Sequence, residues 1–215
     1  MSISLIISIL ATSILFTIFK FFEKYKVVSI NAIVMNYMVA SALAFIIPEE
    51  TKPIFYAINQ PWFPIIILLG FLFVMLFQVI AYSSQKIDIS TTTIANKITF
   101  IFPTIMGILF FKEPWNYLKI IGFSVAIASI ILSAENKRKF PKIKTYFELL
   151  ILFFGGGFLE ILLSYSQKFL IVPADTSIFF GYLFLFAFIF GVFILLWKVK
   201  NGQKKPSQKD ILWGL

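Results

Sequence analysis

The chain has 215 residues, 60% of them hydrophobic and 13% charged, and a net charge of +9. A soluble domain cannot hide that much apolar surface, so long apolar runs between short charged loops predict an all-α, polytopic helical membrane protein. With neither cysteine nor histidine in the chain, disulfides, thiolate or imidazole metal sites and Ser–His or Cys–His nucleophile pairs are excluded.

The first predicted span covers about 3–22 and carries Ser13, Thr17 and Lys20 on one face. Its lysines follow the apolar run and no small-residue cleavage site comes after it, so it reads as a retained span, not a signal peptide. The second runs over about 29–47, with Asn31 and Asn36 near its start. A polar loop with three prolines follows, and its Trp62 fits an interfacial anchor. The third span, about 65–83, places Gln78 and Tyr82 on one face, and a short loop predicts an antiparallel hairpin with the fourth. The fifth span covers about 118–134. A basic linker, 135–145, divides the chain at its midpoint. The sixth span, about 147–170, contains Gly155, Gly156 and Gly157 and then Glu160. The seventh runs over about 176–197, and residues 211–215 resemble the first turn of a further apolar helix. Odd-numbered loops hold fourteen Lys or Arg and even-numbered loops four. The positive-inside rule then predicts cytoplasmic odd loops and an external N-terminus.

The fourth span, 89–113, organises the reading. It is long enough to cross a bilayer, yet it holds a lysine and a proline. On a helical wheel Thr92, Asn96, Thr99 and Pro103 fall on one side, flanked by Thr93, Lys97, Thr104 and Gly107. Isoleucine, methionine and phenylalanine fill the other side. In a membrane, such a polar arc is placed toward a bundle interior or watery cavity. Candidate cavity-lining residues are therefore Thr93, Asn96, Lys97, Phe100 and Thr104, with Gln78, Tyr82 and Glu160 from the third and sixth spans. Pro103 is expected to kink the fourth span, Glu113 to act at the cavity mouth, and Gly156 to mark either a close helix crossing or a broken helix. Lys97 is expected to face the cavity, meeting an anionic solute group or pairing with Glu160.

Between Ala81 and Ser133 the sequence resembles the EamA-type branch of the drug/metabolite transporter superfamily. The residues that carry the resemblance are the short turn with hydroxyl residues over 87–93, Pro103, Glu113 and Gly122. It implies a carrier built from two inverted five-helix repeats around a midplane site. The expected organisation is a first repeat over 1–134, the linker 135–145, and a second repeat over 146–215. Only 81 of the 215 residues remain after 134, so that second repeat is expected to be truncated after the start of an eighth helix. The implied function is transport of a small organic metabolite or drug-like solute by alternating access, in an inner or plasma membrane. A non-transporting assembly subunit is the alternative. An integral membrane enzyme is disfavoured, because the acidic residues are isolated and no histidine is present. The expected partners are a small-molecule solute, the lipid bilayer and a second copy in a homodimer, without nucleic acid, metal or cofactor.

Overall fold

The computed structural model describes residues 2–46, 54–86, 99, 101–110, 112, 116–118, 120–122, 124–125, 128, 143–202 and 206–214. Among these the chain is all-α, with no strand. The helices are α1 (Ser2–Lys24), α2 (Ser29–Ile46), α3 (Phe63–Lys86), α4 (Ile101–Leu109), α5 (Ile143–Tyr165), α6 (Thr176–Lys200) and α7 (Gln208–Leu212). A 3-10 turn covers Ile54–Asn59. One π-helical turn, Ser166–Leu170, extends α5, and a second 3-10 turn, Pro173–Asp175, leads into α6.

Among the described residues five segments are long and apolar enough to cross a bilayer: Ile6–Lys24, Ser29–Ile46, Phe63–Gln85, Leu150–Leu170 and Pro173–Lys200. They match the first, second, third, sixth and seventh predicted spans. Hydrocarbon offers the backbone no partner, so an apolar run of this length closes its own hydrogen bonds as a helix. The protein is a multi-pass membrane protein. Pro64 and Pro103 do not interrupt this pattern. Each sits in the first turn of its helix, where no intrahelical donor is needed.

The chain forms two compact units. One comprises 1–26 and 79–160, the other 27–78 and 161–215. In the first, α1 buries Phe16, Phe19 and Phe22, while Ile3, Ile6, Ile7 and Leu10 are exposed. Thr12, Ser13 and Thr17 turn their hydroxyls back onto the carbonyls of Ser8, Ile9 and Ser13 at 2.8–2.9 Å. That is the local way to satisfy a hydroxyl on an apolar helix. Lys20 Nζ bridges Glu23 Oε2 (3.0 Å) and the Gln85 carbonyl (3.1 Å), fastening α1 to the last turn of α3.

In the same unit α5 runs through Gly155–Gly157 without a break. A Cβ at Gly156 would lie 2.9 Å from Thr99 Cγ2, and one at Gly157 would overlap the Phe102 ring. Phe102 also meets the Phe153 ring at 4.9 Å. The glycine face of α5 therefore receives the start of α4 at close range, the use of small residues that helix packing in lipid favours.

The second unit is a three-helix core. α2 runs antiparallel to α6, since Ser41 Oγ donates to the Gly181 carbonyl (3.0 Å) while Val34 packs at Gly191. The part of α3 in this unit runs parallel to α6. Phe63 meets Phe186, and Phe71 meets Phe190. A Cβ at Gly70 would stand 2.7 Å from Phe186 Cβ and 2.9 Å from the Ala187 nitrogen. Between these contacts Tyr37 stacks on Phe184 and donates its hydroxyl to the Phe73 carbonyl at 3.2 Å.

Candidate functional site

The structure places the predicted site residues unevenly. Thr93, Asn96, Lys97, Phe100 and Glu113 lie outside the described residues, and so does the expected pairing of Lys97 with Glu160. Thr99 lies in a turn, and α4 begins at Ile101. Of the polar arc drawn through Thr92, Asn96, Thr99 and Pro103, Thr92 and Asn96 lie outside the described residues. Pro103, expected to kink the fourth span, lies in the first turn of the described helix α4, where its ring costs no hydrogen bond. Within α4 the small and polar side still turns inward. Gly107 is buried and Thr104 half-buried, while Ile105 and Leu109 are exposed.

Gln78 and Tyr82, one turn apart on α3, have different surroundings. The Gln78 Nε2 is buried without a partner among the described residues, whereas Tyr82 is 45% exposed. Ser83 and Ser84 follow, both fully buried, and their hydroxyls also find no partner among the described residues. Glu160 is exposed and lies midway along the apolar segment Leu150–Leu170. Gly156 is buried against Thr99.

Sequence reasoning passed over two aspartates, one at each end of the second unit. Asp210 is 4% exposed. Its Oδ1 accepts from the Val28 N–H (2.9 Å), and its Oδ2 from the Asn31 amide (2.9 Å) and the Ser207 N–H (3.0 Å). The Asp210 N–H in turn donates to Ser207 Oγ at 3.2 Å. One carboxylate thus completes the start of α7 as a capping box and the start of α2 from across the fold. Burial works to raise its pKa. The hydrogen bonds from the Ser207 and Val28 backbones, the Asn31 amide and the Ser207 hydroxyl outweigh burial and hold it below the ordinary carboxylate value. The motif Ser207-x-x-Asp210 before Ile211 and Leu212 was the available signal.

At the opposite end Asp175, 2% exposed, precedes α6, and its Oδ2 accepts the Tyr56 hydroxyl at 2.7 Å. One turn further along α6, Phe179 meets the Trp62 ring edge-on at 5.6 Å. Trp62 is 0% exposed, so it is a core residue of this unit and not the interfacial anchor its sequence context predicted. Its indole N–H is buried without a partner among the described residues. A buried orphan donor costs about 1–3 kcal/mol.

Among the described residues no three His, Cys, Asp or Glu side chains converge as a metal site would require. No family model, curated protein or solved structure matches this chain.

Proposed function

We propose that this protein is a secondary carrier of small organic solutes working by alternating access, of the drug/metabolite transporter type with inverted five-helix repeats. The observation that carries this reading is Gln78. A primary-amide donor is held buried and unpartnered among the described residues, within a segment long and apolar enough to span the bilayer. Such a group is expensive in hydrocarbon, and polar side chains are retained inside membrane bundles where solutes or ions are handled. The amide presents hydrogen-bond donors to a solute acceptor, and the neighbouring hydroxyls of Ser83 and Ser84 extend the polar stretch along α3. Glu160, exposed in an apolar segment, supplies the charged group that an ion-coupled carrier needs. The polar sequence of the fourth span, Thr93 to Thr104, is the sequence feature that also suits a carrier.

The test is uptake and efflux in vesicles holding the protein, against a panel of amino acids, nucleosides, polyamines and fluorescent organic cations. The expected result is protein-dependent flux of at least one class, lost in Gln78→Leu while the unfolding midpoint is kept. Flux in Gln78→Leu equal to that of the parent protein would defeat the reading.

A further inference from the structure

The second half of α6 presents a stripe that the rest of the chain leaves uncovered. From Ile178 to Lys200 the exposed side chains are Ile189, Phe193, Leu196, Trp197 and Lys200. At about 100° per residue these five fall within an arc of about 100°. The opposite side carries Ala187 and Gly191, which pack beside Gly70 and Val34. At 1.5 Å per residue the stripe is roughly 16 Å long, about one leaflet of a ~30 Å hydrocarbon core. It is apolar along its length and ends in an ammonium group. Lys198 is half-buried and falls about 160° away from Lys200 on the wheel, off the stripe.

The charge at this end is not balanced from within. Residues 198–215 hold five lysines and one acidic side chain, Asp210. That carboxylate is 4% exposed and already accepts from the Val28 N–H, the Asn31 amide and the Ser207 N–H. The C-terminal end of α6 adds only about half a negative charge. Neither Lys198 nor Lys200 has a hydrogen bond or ion pair among the described residues. An excess of positive charge therefore stands at the foot of an apolar stripe one leaflet long.

We propose that this stripe binds a single anionic phospholipid. An acyl chain lies along Ile189, Phe193 and Leu196, the Trp197 ring sits at headgroup level, and the phosphate meets Lys200. A second copy of the chain suits the stripe less well. Pairing about a two-fold axis along the membrane normal would set Lys200 against Lys200. The inference requires a membrane-embedded chain but not the carrier reading.

With Trp62, Trp115 and Trp213 changed to Phe in the full chain, Trp197 is the reporter, and brominated lipid that touches it quenches its fluorescence. Brominated phosphatidylglycerol should quench at about fivefold lower mole fraction than brominated phosphatidylcholine, the factor one lysine carries beside an anionic surface. Lys200→Gln should remove that preference and Lys200→Arg should keep it. Lys198→Gln should leave it unchanged, because Lys198 lies off the stripe. If the triple Phe variant fails to fold, native mass spectrometry of the chain with all four tryptophans reads the same preference from the lipid that stays bound. Equal quenching or retention of the two lipids would overturn the proposal. So would equal losses in Lys198→Gln and Lys200→Gln, the mark of diffuse surface charge. Loss of the preference to inorganic phosphate at constant ionic strength would instead assign the site to a soluble anion. A Trp197 that neither lipid quenches, in a protein that is dimeric by size, would assign the stripe to a second copy; either result defeats the lipid site.

Discussion

The two ends of the second unit each close on a buried aspartate, but by different means. Around Asp210 two of the donors are backbone N–H groups of Val28 and Ser207, fixed in place by the helices they start. At Asp175 the donor described is a side-chain hydroxyl on a 3-10 turn. A backbone donor moves only when its helix moves, whereas a phenol leaves by rotating about its own bonds. One residue type is thus held by backbone donors at one end and, among the bonds described, by a side-chain hydroxyl at the other.

The largest expected effect breaks the fixed joint. Asp210→Ala strands the Val28 N–H, the Asn31 amide and the Ser207 N–H at a buried site. It should cost about 3 kcal/mol or more, lowering the thermal midpoint by about 6–12 °C in a domain of this size. Acid probes the same joint without mutation. Because the folded carboxyl titrates below its unfolded value of about 3.9, its contribution is fully present above that pH and is lost as pH falls through the folded pKa. Midpoints measured from pH 6 down to pH 3 should fall in the parent protein, with this component of the fall absent from Asp210→Asn.

A smaller effect tests whether the middle of the unit is as unyielding as the Asp210 end. Gly70→Ala drives a methyl group toward Phe186 and the Ala187 backbone. Overpacking there should cost about 1–3 kcal/mol, read as a lower midpoint in detergent. The smallest change is Ser41→Ala. It deletes the hydroxyl bond to the Gly181 carbonyl and should cost about 0.5–1.5 kcal/mol. A Ser41→Ala loss matching that of Asp210→Ala would erase the contrast between a fixed end and an ordinary interhelical contact.

While the fourth and fifth predicted spans lie largely outside the described residues, the first, second, third, sixth and seventh were legible because lipid leaves an apolar run no other backbone geometry. Their limits were not. α3 extends to Phe63 and Lys86, beyond the predicted 65–83, because hydropathy tracks the membrane and Ser84, Gln85 and Lys86 continue the helix past it. Trp62 was misplaced for a different reason. An interfacial and a buried indole look alike in sequence, and here the Phe179 ring, more than a hundred residues away, decides between them. Asp210 was readable in principle from its spacing to Ser207, while its bonds to Val28 and Asn31 are purely tertiary. The glycine triplet signalled closeness, but not that Thr99 and Phe102 would be its neighbours.

The antiparallel seam between α2 and α6 also bears on how the protein is made. Ser41 and Gly181 are 140 residues apart in the chain. At about 5–20 residues per second, α6 leaves the ribosome roughly 7–28 s after α2. For that interval Tyr37 and Ser41, both buried in the finished unit, wait without the helix whose Phe184 and Gly181 they meet. A pause in translation before residue 176 lengthens that exposure.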